Sequence, residues 1–325
     1  MYEFEKYATQ PENVMDVLEQ YGVAIIPSIL SESECDAMQR GMWDTLEHVT
    51  SRWDQPISRD EQSSWRGFRE LFPLHSMLIQ HWSIGHAQYI WDIRQNHNIA
   101  NVFANIWKCP ADNLLVSFDA VSYHFPPEVT KLGWYRGNTW YHCDQSFRDN
   151  SFRCVQGWVT AYDVNEGDAT ISFLENSHKE HSNFAKHMEN MSMEIPKDNW
   201  YRLSEEQLTF YQNIGCNEKR IQCPKGSLVL WDSRTIHCGV EALKTRKTNN
   251  FRNIAYICYE PRQHCDEKNI RKKQEAFENM RLTTHWPCNI KLFPKTPRTY
   301  GKKVLDMASL PVPQLSALGR RLAGF

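Results

Sequence analysis

FRCVQGWVTAYDV, residues 152–164, is a short run rich in β-branched and aromatic residues, bounded by polar stretches. Five further runs share that texture: LLVSFDAVSYHF (114–125), GNTWYHCDQ (137–145), ATISFLE (169–175), SLVLWDSRTIHCGV (227–240) and FRNIAYICYEP (251–261). Turn or polar residues separate them, which is the punctuation of successive strands. Six such runs in sequence point to an antiparallel sandwich or barrel.

The texture differs on either side of this core. QPENVMDVLEQY (10–21) reads as a short amphipathic helix ended by Gly22, and VAIIPSIL (23–30) as a buried strand broken by Pro27. Ser31 and Glu34 form a capping box before CDAMQRGMWDTLEHV, a second helix. Residues 50–72 read as loop, and 75–107 as helical. SEEQLTFYQNIG (204–215) reads as a helical insertion capped by Ser204 and Gln207. DEKNIRKKQEAFENM (266–280) reads as a charged helix, followed by a Pro-rich, loop-like tail. With no repeat and no linker, the expectation is one domain over 1–325. Residues 1–110 are its helical front, 111–262 its β core and 263–325 its helix and tail. The fold class is mainly β with flanking helices (α+β).

Composition narrows the function. The chain has 325 residues, 41% of them hydrophobic, a formal net charge of −2 and a mean hydropathy of −0.62. That balance implies neither nucleic acid nor an anionic membrane as partner. No apolar run reaches the roughly 20 residues of a spanning helix, and MYEFEKYATQ lacks a signal-peptide pattern. A cytoplasmic protein acting on a small molecule is expected, with oligomeric state left open. The ten cysteines are scattered without a CxxC pair, so they read as reduced, mostly buried thiols.

His142-Cys143-Asp144 lies in one strand-like run, and His237 ends another. Side chains alternate along a strand, so His142 and Asp144 project to one face and Cys143 to the other. A facing strand can deliver His237 as a third ligand. Two imidazoles and one carboxylate hold one face of a ferrous ion and leave the opposite face open. The triplet alone is weak, because His-x-Asp recurs by chance. A second copy, His264-Cys265-Asp266, opens a charged helix without β texture and reads as a solvated helix start. The plainer alternatives are satisfied core histidines at 142 and 237 and a turn-forming Asp144. His178 and His181 have zinc-like spacing in a polar segment and rank far below. His75, His81, His86 and His97 lie among helical apolar residues and read as packing or surface.

A ferrous centre of this kind needs electrons to split O2, which a chelating 2-oxo acid supplies. The far carboxylate of that acid calls for a planar cation that bonds both oxygens. Of the arginines after His237, Arg252 opens FRNIAYICYEP, where a return strand brings it beside the metal. Arg246 lies in the basic loop ALKTRKTNN and reads as solvated, and Arg262 follows the strand at its far end. Arg66 and Arg69 read as a solvated basic loop. Asp119, Tyr123, Trp140 and Trp231 sit on or beside core strands and are candidates to face a pocket, with core packing the plainer role. The pocket is expected under the N-terminal helices and the segment between the two metal strands.

These residues resemble the phytanoyl-CoA dioxygenase family of Fe(II)/2-oxoglutarate oxygenases. GVAIIPSILSESECDAM looks like its opening strand and helix, WYHCDQ its proximal His-x-Asp, and GSLVLWDSRTIHCG its distal His. QGWVTAYDVNEGDATISFLENSH is similar to its strand-turn-strand, with Glu175-Asn176 where Pro-Gly is usual. RLTTHWP looks closest to a little-characterised subgroup. The resemblance implies a double-stranded β-helix (jelly-roll) core, with iron on His142, Asp144 and His237. It implies the 2-oxoglutarate carboxylate on Arg252, and Trp158 flanking that co-substrate. It implies hydroxylation of a C–H bond of a small molecule by O2, with release of succinate and CO2. The carboxylate at 144 favours hydroxylation over halogenation. The pattern departs at Gly239, where relatives often carry a Ser that bonds the co-substrate. Two other functions fit the same ligands: a zinc-dependent hydrolase, which has no need of Arg252, and a jelly-roll binding protein without catalysis.

Overall fold

The predicted strand runs pair into two facing sheets. The computed structural model describes residues 1–74, 77–301 and 305–325. In chain order the strands are β1 (Tyr2–Glu3), β2 (Val23–Ile26), β3 (Leu78–Ile79), β4 (Leu114–Val116), β5 (Val121–His124), β6 (His142–Cys143), β7 (Val155–Thr160), β8 (Thr170–Leu174), β9 (Tyr201–Arg202), β10 (Glu218–Ile221), β11 (Leu228–Asp232), β12 (His237–Val240) and β13 (Arg252–Pro261). One sheet runs β2-β11-β7-β13-β5-β3, with β4 paired to β13, and the other runs β1-β10-β8-β12-β6-β9. Their central ladders are antiparallel. From β5 onward the chain winds between them: β5, β7, β11 and β13 lie in the first sheet, and β6, β8, β10 and β12 in the second. That winding is the jelly roll expected from the sequence.

Alternation along each strand sorts its side chains. On β7, Val155 and Val159 face outward, where they join Leu228, Leu230, Ala255 and Ile257 of β11 and β13. The helices α1 (Val14–Tyr21), α2 (Glu32–Val49), α3 (Gln88–Arg94) and α4 (His97–Trp107) cover that face with Leu18, Met38, Met42, Ile90 and Phe103. These helices therefore buttress the first sheet from behind and do not roof a pocket between the sheets. The reason is their apolar stripes, which match the outward face of the sheet. Trp158, Val229, Trp231 and Ile254 project inward and meet Ile171 and Phe173 of the second sheet.

Local signals account for the boundaries. The capping box of α2 is formed by Ser31 and Glu34, as read from the sequence. Gly22 ends α1 at φ 81, a conformation that favours glycine. Residues 50–72 are not all loop: Gln62–Glu70 form a 3-10 helix whose Phe68 stacks on Phe125 at 4.4 Å. Nor is 75–107 continuously helical. His75 and Ser76 lie outside the described residues, β3 follows them, and regular helix begins at Gln88. The remaining helices are α5 (Pro127–Thr130), α6 (His181–Asn190), α7 (Glu205–Asn213), α8 (Glu267–Glu278) and α9 (Ala317–Leu322). The tail ends in α9, whose Leu318 and Leu322 are buried in the helical core. No described helix is long and apolar enough to cross a membrane. All ten cysteines are free, and the Sγ atoms of Cys154 and Cys258 lie 3.3 Å apart.

Lys273 of α8 is fully buried, with Nζ donating to the Val116 carbonyl and lying 4.1 Å from the centre of the Phe118 ring. Burial pulls its pKa down from 10.5 to about 8. The folded value is depressed, so the stability from this group is full above pH 10.5 and is lost as pH falls through 8. At pH 7 the buried ammonium costs about 3 kcal/mol relative to an unshifted lysine. Lys273→Met should therefore look better against wild type at pH 7 than at pH 10, by about 2 kcal/mol. Denaturant unfolding at the two pH values measures the difference, and equal offsets at both would refute it.

Candidate functional site

β6 and β12 are adjacent antiparallel strands, and their register sets His237 directly opposite His142. The two rings are 4.3 Å apart, centre to centre. Asp144, two residues past His142, returns to the same face, where its amide donates to the Ser233 carbonyl. Its Oδ2 is 3.6 Å from His142 Nε2 and 3.4 Å from His237 Nε2. All three donor atoms lie within 4.8 Å of one another, and all three residues are buried. Three atoms each ~2.1 Å from one ion and at right angles sit ~3 Å apart, so the spacing suits a single cation.

The tautomers are set from behind. His142 Nδ1 lies 3.2 Å from the Trp140 carbonyl, and His237 Nδ1 lies 2.9 Å from the Thr235 carbonyl. A carbonyl only accepts, so each Nδ1 carries the proton and each Nε2 offers its lone pair inward. Gln156 Nε2 donates to Asp144 Oδ2 at 2.8 Å and orients the carboxylate. Trp140 stacks on the His142 ring at 4.5 Å, and Trp231 lies 5.3 Å from that of His237. Trp200, 53% exposed, reaches within 6.0 Å of His142 from the segment between the two metal strands.

Burial would push the Asp144 carboxyl up, but the imidazoles of His285, His142 and His237 outweigh it and hold the group well below its usual range. Burial meanwhile pulls His142 and His285 down. The two tendencies compete for one proton. Burial thus favours the uncharged form of the His142 and His285 rings beside the Asp144 carboxylate. That is the form a metal takes up without first displacing a proton.

Arg252 opens β13 opposite His124 and is 5% exposed. Its Nε donates to Ser122 Oγ at 2.9 Å and its Nη1 to the Ala169 carbonyl at 3.1 Å. The guanidinium lies 5.5 Å from the centre of the inward-facing Trp158 ring, and Tyr256 is a neighbour on the same face of β13. Among the described residues no carboxylate pairs with it. Arg246 differs, and against expectation it is not solvated. Its side chain is 1% exposed and bonds Glu128 and Asp168, two acids the sequence places far from it.

The other candidates divide. Asp119 lies near enough to Asp144 to feel its charge, and burial raises its carboxyl to about 7. Tyr123 faces outward into the helical core beside Tyr89. His178 and His181 are structural, with Nε2 on the carbonyls of Glu19 and Ser146. Asp266 caps α8, in keeping with a helix start. A surface groove lined by Cys109, Arg262, Cys265 and Arg271 contains none of the three donors. His285 was missed by sequence reasoning. Its only signal was membership of RLTTHWP, and nothing local tied that segment to residue 144.

Residues 18–242 match the family described as phytanoyl-CoA dioxygenase (PhyH). Ava biosynthesis cluster protein O of Aspergillus versicolor is 25% identical over 211 residues, 64% of this chain. The match spans 65% of that relative's own length. A crystal structure of a Salmonella typhimurium LT2 protein aligns with TM-score 0.62 and 14% identity, covering 96% of this chain and 82% of that one. Protein JW0805 of Escherichia coli aligns with TM-score 0.60 and 14% identity, covering 98% and 85%. At such identities the structural likeness shows the fold alone.

Proposed function

The chain belongs to the phytanoyl-CoA dioxygenase family, and from that premise we propose that it hydroxylates a C–H bond of a small organic molecule, releasing succinate and CO2. The family's cofactors are Fe(II) and 2-oxoglutarate with O2, and the donor set of His142, Asp144 and His237 fits the ion. The observation that carries the reading is the convergence of two Nε2 atoms and one carboxylate oxygen, each oriented by a protein group behind it. When bound, iron and 2-oxoglutarate supply the oxidising power that activates O2 and functionalises the C–H bond.

The chain's own residues bind and orient. His142 and His237 present fixed lone pairs, and Asp144 presents a carboxylate steadied by Gln156. Arg252 receives the distal carboxylate of 2-oxoglutarate. A buried guanidinium without an acid partner is unstable until an anion joins it, so its place in the core is itself a reason to expect one. Ser122 holds the guanidinium from the Nε side, and Trp158 packs against its face. The hydroxyls of Ser122 and Tyr256 stand near Arg252 and make up for the Ser that Gly239 replaces. The aromatic walls of Trp140 and Trp231 keep water from the ligand face. Catalysis needs no side-chain nucleophile here.

Anaerobic titration with Fe(II) and 2-oxoglutarate tests the reading. A weak visible charge-transfer band that requires both components is the expected result. Stoichiometric metal uptake with no such band at saturating 2-oxoglutarate would favour a hydrolase or a binding protein instead.

A further inference from the structure

We propose that the segment Arg281–Pro287 walls the substrate cavity, and that His285 hydrogen-bonds a hydroxyl of the substrate there. The proposal rests on the oxygenase reading above.

The segment is held in place at several points. Thr283 donates its amide to the Phe118 carbonyl at 2.9 Å, and Thr283 Oγ1 accepts from the Phe118 amide at 3.1 Å. The Thr284 amide donates to the Lys291 carbonyl, and the Cys288 amide to Glu260. Trp286 packs against Cys154 and Cys258. Cys258 lies opposite Gln156 in the β13–β7 register, and Gln156 holds Asp144. His285, between Thr283 and Trp286, lies close enough to Asp144 for the two groups to feel each other's charge. It is not one of the three convergent donors, so it stands beside the metal position without belonging to it.

The polar atoms of this segment are unusual. Thr284 Oγ1, His285 Nε2 and Trp286 Nε1 are three successive buried side-chain atoms without a hydrogen-bond partner. Folded proteins pair nearly all such atoms, so a run of three calls for an explanation. Here the backbone around them is firmly bonded, which excludes a frayed loop. Asp119, Tyr256 and His285 are half-buried, and Asp119 and His285 both lie near enough to Asp144 to feel its charge. A hydroxyl can pair with His285 Nε2 in either tautomer, donating to a bare nitrogen or accepting from an N–H.

The probe is benzyl alcohol against toluene, read by saturation-transfer NMR on full-length protein loaded with Zn(II) in place of iron and with 2-oxoglutarate. Wild type should prefer the alcohol by roughly tenfold, the worth of one hydrogen bond. His285→Ala should erase the preference, and His285→Gln, which keeps a donor and an acceptor, should retain part of it. Metal and 2-oxoglutarate affinity should stay unchanged in both variants. No preference in wild type, or one that survives His285→Ala, overturns the proposal. Failure of wild type to bind metal or 2-oxoglutarate would instead sink the oxygenase reading, so the two failures are distinguishable.

Discussion

His237→Ala should leave a folded protein that no longer turns over 2-oxoglutarate. Its backbone pairing with His142 and with Phe173 stays intact, because the ladder does not use the imidazole. The side chain supplies one of the three convergent donors found among the described residues, and the opposite face of the ion must stay open for small molecules. With two donors left, affinity falls further than the 10–100-fold typical of losing a group behind a ligand. The expected loss in 2-oxoglutarate-dependent O2 uptake is at least roughly 10³-fold. Bound iron by elemental analysis and secondary structure by circular dichroism separate this from unfolding. His181→Ala is the control: that histidine is also fully buried, but its ring serves the Ser146 carbonyl, so it should cost stability and spare iron. Near-wild-type turnover with stoichiometric iron in His237→Ala would remove His237 from the metal site.

Arg252→Met should act in two opposite directions. Without co-substrate, the variant should be about as stable as wild type or somewhat more so, because an apolar side chain replaces a buried cation that has no acid beside it. Loss of the bonds to Ser122 and the Ala169 carbonyl limits the gain. Toward 2-oxoglutarate the effect should be severe. Removing one partner of a buried, charge-assisted pair costs about 2–5 kcal/mol, or roughly 30- to 5,000-fold in affinity. Thermal unfolding reads both at once. The wild-type midpoint should rise with added 2-oxoglutarate in the presence of metal, and the variant midpoint should not move. A destabilised variant that still responds to 2-oxoglutarate would show that Arg252 is a packing residue. The same change at Arg246 should simply destabilise, since it strands Glu128 and Asp168.

The jelly roll and the triad were legible because both rest on local pattern. Strand texture is written in β-branched and aromatic runs, and i,i+2 spacing puts His142 and Asp144 on one face whatever the rest of the chain does. The capping boxes at Ser31 and Ser204 are equally local. What stayed hidden depends on contacts between distant segments. Arg246 looks solvated in a polar loop until Glu128 and Asp168 fold against it. The tail looks like loop because its single helix turns on a capping Ser316 and a few apolar residues that bury only against the helical core. α6 went unread because its sequence is mostly polar, and the 3-10 helix at Gln62–Glu70 because its order comes from aromatic stacking on Phe125 and Phe251. His285 carries no local signal, because its place near Asp144 depends on the long-range bonds of Thr283 to Phe118.

β6 is two residues long and meets β12 at a single register pair, the two histidines themselves. The sheet is stitched most thinly where its donors converge. A cation held there rivets two strands that the backbone barely joins, so filling the site and closing that rim become one equilibrium. Metal added to the protein should therefore raise its unfolding midpoint as well as fill the site.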